Sequence, residues 1–302
     1  MGTLALIGLG SNLGDRRVHL DAAVAALAEA PGVAVRAVSS YHETAPVGGP
    51  GGQGAFLNAA ARLETASGPF ELLRALQHIE RAAGRVRSVR WGERTLDLDL
   101  LIYDAKAIET AELTIPHPRL GVRRFMLAPL VEIASNVVDL WSGAMLHGLL
   151  ANLDRRPRHL ALDGAAGPFK AAVFRRIVAS LRATGLVWSG GAAGPVEIAP
   201  TTPGPAEVDE GRWLVSDVLV GSPESMHLHP DARGDRFLRP RPNIPSPTLL
   251  VALKGGWLDD SKRRSGRRPR RCGQVVLWPE SDHLESIASE VETACAGIGA
   301  AG

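Results

Sequence analysis

RWGERTLDLDLL, from Arg90 to Leu101, sets two carboxylates two positions apart inside an apolar run. Along a β-strand successive side chains point to opposite faces. Leu96, Leu98 and Leu100 therefore share one face, and Asp97 and Asp99 share the other, about 7 Å apart at Cα. Two like charges on one face repel unless water or a cation separates them. A half-buried strand with a solvated polar face would satisfy that condition. So would Mg²⁺, which takes one or two carboxylates together with substrate phosphates. Two such ions, about 4 Å apart, can clamp attacking and leaving oxygens. Arginines crowd the approach at Arg81, Arg85, Arg87, Arg90 and Arg94, and their planar forks suit polyphosphate oxygens. His117 stands between two prolines, which restrict its backbone. Val47 to Gly54 is a glycine-rich loop able to close over a ligand. Taken singly, the arginines read as solvated, the histidine as a turn residue, and Trp91 and Phe125 as core. Taken together, they suit phosphoryl transfer from a nucleotide.

The elements that must carry these residues follow from periodicity. Thr3–Leu9 reads as a strand, and Asp15 as the cap of a helix with Leu20, Ala23, Val24 and Leu27 on one face. Val33–Tyr41 and Ala55–Thr65 read as strands. Pro69 opens a second helix, to about Ala83, with Leu72, Leu73, Leu76 and Ile79 inward. Thr95–Tyr103 is the strand of the two aspartates, and Ile115-Pro116-His117-Pro118 a stiff loop. A third helix turns Met126, Leu127, Leu130 and Ile133 inward and ends near Ala134. The order β-α-β-β-α-β is the split βαβ, ferredoxin-like arrangement, an α+β fold.

With 302 residues there is room for two domains, and 45% hydrophobic with 22% charged residues is ordinary globular composition. A net charge of +2 does not indicate a nucleic-acid partner. Two cysteines, Cys272 and Cys295, make no disulfide framework or zinc spacing, which suits a reducing cytoplasm. The apolar start lacks a basic flank, and no apolar run approaches the roughly 18 residues of a membrane span. Gly8-x-Gly10 after a strand is a poor dinucleotide fingerprint: its third glycine would fall at Leu13, and no acidic residue follows at the expected distance.

GLGSNLGD (Gly8–Asp15), Tyr41-x-Glu43-Thr44-Ala45-Pro46-Val47, Phe56-Leu57-Asn58-Ala59-Ala60, GRVR (Gly84–Arg87), RWGERTLDLDLL and Ile115-Pro116-His117-Pro118-Arg119-Leu120 together resemble the 6-hydroxymethyl-7,8-dihydropterin pyrophosphokinases of folate biosynthesis. The resemblance covers Met1 to about Leu153, and a domain of residues 1–154 is expected. It implies transfer of the diphosphate of ATP to the pterin hydroxymethyl group, with two Mg²⁺ on Asp97 and Asp99. It implies ATP contacts from Gln77, Glu80, Arg87, Trp91, Leu100, Thr114, His117 and Arg123. The pterin pocket would be Thr44, Ala45, Val47, Phe56, Asn58, Trp91 and Phe125, and Arg85 and Arg94 would assist turnover from mobile loops. Two positions depart from the family pattern. Glu93 stands where proline is usual, which implies a looser loop beside Arg94, and Phe56 replaces a frequent tyrosine.

Asn152–Arg158 reads as a linker to a second domain, 155–302. Strands at His159–Leu162, Thr248–Lys254 and Val275–Trp278, with helices at Phe169–Thr184 and Leu284–Ile298, suggest an α/β unit. Gly190–Gly211 and Pro240–Pro247 read as loops. The strand-to-helix passage around Gly164 and Lys170 can be laid on the phosphate loop G-x-x-x-x-G-K-[ST], with Phe169 and Ala171 at its other two fixed positions. Phe169 would block close approach of backbone to phosphate, and Ala171 lacks the magnesium-binding hydroxyl. The tail thus resembles a degenerate P-loop kinase of the deoxynucleoside or thymidylate kinase kind, with Asp217 the best acidic remnant. A dimerisation or interaction appendage, and a regulatory nucleotide site using Lys170, stay open beside it. So does contact of the basic run Lys262–Arg271 with RNA or DNA, although no aromatic residues are interleaved with it for base stacking.

Overall fold

The structure, a computed structural model, describes residues 2–47, 49–84, 92–155, 158–163 and 167–181. Beyond these it describes 184–187, 196–198, 213–216, 226–230, 236–240, 248–253, 275–277, 279 and 281–299. Arg85, Arg87, Arg90, Trp91, Gly164, Asp217, Cys272 and the run Lys262–Arg271 lie outside the described residues. The chain divides into two compact units. One gathers Met1–Leu140, Met145–Leu150 and Ala296–Gly302; the other gathers Trp141–Ala144 and Ala151–Cys295.

The first unit is built on strands β1 (Thr3–Ser11), β2 (Val33–Val38), β3 (His42–Thr44), β4 (Phe56–Thr65) and β5 (Asp97–Tyr103). They pair in the order β2-β4-β1-β5, with β3 also on β4, and every pairing is antiparallel. Helix α1 (Arg16–Glu29) links β1 to β2, and α2 (Pro69–Ala82) links β4 to β5. This is the arrangement expected from the split βαβ pattern. Asp15 caps α1 by accepting from the Val18 backbone N–H at 3.1 Å. Glu71 reaches back to the Gly68 N–H at 2.8 Å, so that Pro69 starts α2 where its missing N–H costs nothing.

One face of the sheet carries the main core. Ile7, Leu9, Ala59, Leu63, Leu96, Leu98 and Leu100 meet Leu20, Leu27, Leu72, Leu76 and Ile79 from α1 and α2. Each such leucine is worth about 1.5–3 kcal/mol of burial. Helix α3 (Arg124–Ala134) lies against β4 on the opposite face, with Met126, Leu127 and Leu130 buried. The long strand expected over Val33–Tyr41 is interrupted. β2 ends at Val38, and a separate β3 begins at His42. Tyr41 in the gap donates to the Asp21 carboxylate under the Arg17 guanidinium, which lies 4.9 Å from its ring centroid. Burial, and then the bond to Asp21, push its phenol up to about 12. The Pro-His-Pro loop is preceded by a short pair, β6 (Ile108–Glu109) with β7 (Thr114–Ile115).

β5 is the open edge of this sheet, and two groups cover it. Glu80 of α2 is 4% exposed, and its Oε1 accepts from the Leu98 backbone N–H at 2.8 Å. The His117 backbone N–H donates to the Leu101 carbonyl at 2.8 Å. Leu101 is the extra residue of a bulge: Ile7 pairs with Leu100, but Leu6 pairs with Ile102.

In the second unit β8 (Arg158–Asp163), β9 (Thr184–Val187), β10 (Val196–Ile198), β11 (Trp213–Ser216), β14 (Leu249–Ala252) and β15 (Val275–Leu277) form a sheet in the order β10-β9-β11-β8-β14-β15. Its pairings are parallel except β9 with β10. β12 (Met226–Pro230) and β13 (Arg236–Pro240) form a separate hairpin. The expected linker begins as helix: α4 runs over Leu146–Asp154, where Leu146, Leu149 and Leu153 recur at helical spacing and are buried. The presumed loop 190–211 contains β10. Helix α5 (Pro168–Ser180) is tied to α6 (Leu284–Gly299) by Arg176, which pairs with Glu285 at 3.2 Å and Glu292 at 3.1 Å. Cys295 is buried, and burial raises its thiol pKa well above the ordinary value. No helix among the described residues is long and apolar enough to cross a membrane.

Glu80→Ala strands the Leu98 N–H at a buried edge, a loss of about 1–3 kcal/mol. In urea titrations Glu80→Ala is expected to lower the unfolding midpoint, while Glu80→Gln, which keeps a carbonyl oxygen, recovers most of it. Equal midpoints for wild type and Glu80→Ala would contradict this role.

Candidate active site

The sheet face that α3 leaves uncovered forms a cleft. Gly8 and Gly10 of β1 form its floor, with Asp97 and Asp99 on one side and Asn58 of β4 on the other. Register puts Gly10 between Asn58 and Asp97, and Gly8 opposite Asp99. A Cβ on Gly10 would lie 3.2 Å from Asn58 Oδ1, and one on Gly8 would lie 3.1 Å from Leu101 Cδ1. The two glycines thus keep the strand surface bare where a ligand would rest. The sequence pattern had marked them only as part of a motif.

Thr44, Ala45, Val47, Phe56, Asn58 and Phe125 all line this cleft, joined by Gln53, Arg94, Arg123 and Met126. Trp91 of the expected pterin set lies outside the described residues. Asn58 is buried, and its Nδ2 donates to Thr44 Oγ1 at 2.8 Å. That bond turns the amide so that Oδ1 and the second N–H remain for the cleft. β3, which carries Thr44, is clamped to α3, which follows directly on Arg123 and carries Phe125. Glu132 Oε1 meets His42 Nε2 at 2.6 Å and Ser40 Oγ at 2.7 Å, and Oε2 accepts from the Ser40 N–H at 2.7 Å. Nothing in the residue pattern advertised this clamp.

The charges divide evenly. Asp97 and Asp99 face Arg94 and Arg123 across the cleft wall. Arg94 Nη1 binds Asp97 Oδ2 at 2.7 Å, three residues apart, with both side chains about four-fifths buried. Arg123 lies 5.5 Å from the Phe125 ring centroid. Burial lowers its pKa below the ordinary value, and Asp99, then Asp97, oppose that shift. Leu96, Leu98 and Leu100 are all buried on the other face, as alternation requires. The pair of carboxylates suits a hard divalent cation whose remaining ligands are phosphate oxygens. Among the described residues there is no cluster of three or more His, Cys, Asp or Glu that would hold a metal ion unaided.

His117 Nδ1 accepts from the Arg119 backbone N–H at 3.2 Å, which leaves the proton on Nε2. Dense packing around the ring, then the Arg123 and Arg119 charges, push its pKa down to about 3. At neutral pH it is an uncharged donor. Gln77 is half-buried on α2, and Thr114 is half-buried on β7. Leu100 is in the core, so only its backbone is available to a ligand. Glu80 holds the edge of β5 through Oε1. Glu93 Oε1 accepts from the Gly54 N–H at 3.4 Å. Gly49 and Gly52 of the glycine loop have φ of 82° and 83°, the left-handed region that glycine tolerates.

His117 is neutral in the fold down to about pH 3 and protonated below about 6.5 when unfolded. Its contribution is complete above pH 6.5 and is lost as pH falls from there toward 3. The stability of the wild type is expected to fall over that window by about one proton's slope more than that of His117→Asn. Identical acid profiles would show the ring to be charged in the fold.

Residues 6–135 match the model of the family described as 7,8-dihydro-6-hydroxymethylpterin-pyrophosphokinase (HPPK). A 2-amino-4-hydroxy-6-hydroxymethyldihydropteridine pyrophosphokinase of Bacillus subtilis is 50% identical over 137 residues, 45% of this chain and 81% of that protein. The mitochondrial folate synthesis bifunctional protein of Arabidopsis thaliana is 44% identical over 144 residues, 48% of this chain but only 26% of its own length. A crystal structure of an HPPK-DHPS in complex with substrates aligns at 12% identity and a TM-score of 0.40, over 54% of this chain and 50% of that one, too weakly to bear on the fold. On the strength of the Bacillus match, the chain belongs to the 7,8-dihydro-6-hydroxymethylpterin-pyrophosphokinase family.

Proposed function

We infer that the N-terminal domain, which we set at residues 1–154, transfers the diphosphate of ATP to 6-hydroxymethyl-7,8-dihydropterin and releases AMP, a step of folate biosynthesis. The observation that carries this reading is the shared cleft: two aspartates stand across a bare glycine floor from a buried amide and a phenyl ring. The flat pterin suits the ring of Phe125, with Phe56 on the same cleft, and its polar edge suits Asn58. The pterin hydroxyl oxygen attacks the β-phosphorus. The bond from that phosphorus to the oxygen shared with the α-phosphate breaks, AMP leaves, and the hydroxyl proton is released. Asp97 and Asp99 would hold magnesium, two ions by our reading, which when bound neutralises the polyphosphate and orients its oxygens. Arg94 and Arg123 supply the remaining positive charge, and Arg94 can exchange Asp97 for a phosphate oxygen. His117, neutral and carrying its proton on Nε2, offers a hydrogen bond to a phosphate without adding charge. Gln77, Thr114 and the Leu100 backbone are assigned to the nucleotide side. Arg85, Arg87 and Trp91 complete the set by sequence.

AMP release should require Mg²⁺ and the hydroxymethyl pterin together. Asp97→Ala and Asp99→Ala are each expected to lower kcat by at least about 10²-fold, the scale for losing one preorganised charge-stabilising group. Turnover of either variant within a few fold of wild type would overturn the assignment.

A separate observation bears on the C-terminal domain, which we set at residues 155–302. Its parallel strands run β9-β11-β8-β14-β15, which in order of appearance is 2-3-1-4-5, and the central β8 leads toward α5. Both features belong to parallel α/β units in general, and our reading of this one as P-loop kinase-like rests on the sequence pattern around Lys170. Ala171 lacks a hydroxyl, and Phe169 stands 45% exposed beside Lys170, so we read the unit as not transferring phosphate. The full chain carrying Asp97→Ala is expected to leave deoxynucleosides unphosphorylated by ATP. Formation of a deoxynucleoside monophosphate would show the unit to be an active kinase.

A further inference from the structure

Between β2 and β3 the chain carries one residue more than β4 opposite it. Val38 pairs with Ala61 and His42 with Asn58, so residues 39–41 stand against residues 59 and 60. Such an extra residue leaves backbone outside the ladder. Ser39 still answers Ala60: its N–H donates to the Ala60 carbonyl at 2.9 Å, and its hydroxyl accepts from the Ala60 N–H at 2.9 Å. The Ser40 N–H goes instead to Glu132 Oε2 at 2.7 Å. The Ser40 hydroxyl and His42 Nε2 both meet Glu132 Oε1, at 2.7 and 2.6 Å. One carboxylate of α3 thus takes three groups from the strand break and the start of β3. Glu132 stands two turns beyond Phe125 on the same stripe of α3. His42 and Thr44 share one face of β3, because side chains alternate along a strand. α3 is in contact with β3, and Thr44 and Phe125 line the cleft together. The His42–Glu132 pair and the Thr44–Phe125 pair are therefore two rungs across the same strand and helix.

We propose that Glu132 is a positioning residue for the pterin: by clamping Ser40 and His42 it fixes the distance between the Thr44–Asn58 wall and the Phe125 ring, and so the width of the slot that the flat heterocycle enters. The proposal rests on the reading of the cleft as a pterin site. Thr44 carries that distance to the ligand, since its Oγ1 accepts from Asn58 Nδ2 at 2.8 Å and so turns the amide toward the pterin edge. Ring stacking and edge hydrogen bonds both need contact distance. A wall that drifts from Phe125 loses the two together. Glu132 is not among the residues that line the cleft, and its clamp holds none of the groups assigned to the nucleotide. Its loss is therefore felt by one substrate.

The test uses the full chain and follows AMP release with Mg²⁺, each substrate varied while the other is saturating. Glu132→Ala is expected to raise the KM for 6-hydroxymethyl-7,8-dihydropterin by about 10- to 100-fold, the upper figure being the scale of a misplacement of about 1 Å. The KM for ATP should stay within about twofold, a split that a general loss of stability would not produce. His42→Ala leaves both Ser40 bonds to Glu132 in place and removes only the rung next to Thr44. It should raise the pterin KM in the same selective way by a smaller factor, and it decides the matter if Glu132→Ala does not melt cooperatively. An unchanged pterin KM in the deciding variant overturns the proposal, as does an equal rise in the KM for ATP. Absence of AMP release by the wild type would instead remove the functional reading, and this proposal with it.

Discussion

The pleat of β5 is the constraint on which the rest depends. One strand faces a packed leucine layer and a polar cleft, and its period of two leaves no freedom to mix them. Burial of Leu96, Leu98 and Leu100 against α1 and α2 forces Asp97 and Asp99 to the other side. The carboxylates are therefore oriented by hydrophobic packing on the opposite face. Their mutual repulsion is offset by Arg94 and Arg123, and by whatever cations the nucleotide brings.

That arrangement uses the sheet as a wall with one face dry and one face reactive. Neighbouring strands contribute by what they lack as much as by what they present. β1 offers glycine opposite each aspartate, and β4 offers Asn58, whose amide is turned by Thr44. Around this wall the polar ties are few and specific: Glu132 draws β3 to α3, Glu80 closes the edge of β5, and Asn12 joins two loops.

Alternation and capping carry a good deal of this in the bare residue string. Asp15, Pro69 and the leucine spacing announce α1 and α2, and the Asp-Leu alternation announces β5, because each is a local pattern. The family motifs select six described residues, expected for a pterin pocket, that line one cleft. What is not legible is non-local. Glu80 looks like any helix acid until the open edge of β5 lies beside it. Asn12 looks like a turn residue until Gln53 and Arg94 arrive from elsewhere in the chain. The break at Ser39–Tyr41 is hidden because both flanks alternate. α4 follows a stretch without a clear cap, and β10 sits in a segment whose glycine and proline content reads as loop. The contact of the Glu93 carboxylate with the Gly54 N–H is likewise absent from the local pattern.

The bulge at Leu101 has a consequence for how this strand tolerates change. With Leu101 inserted, both it and Ile102 fall outside the leucine layer, and Tyr103 returns to it. The strand thus carries a phase shifter just after its two acids. Before that point the chain length is locked, since an inserted or deleted residue would swap acid for leucine. After it, the parity has already been reset once, and the carbonyl freed by the kink anchors the histidine loop. Natural length variation in such strands should gather downstream of the kink.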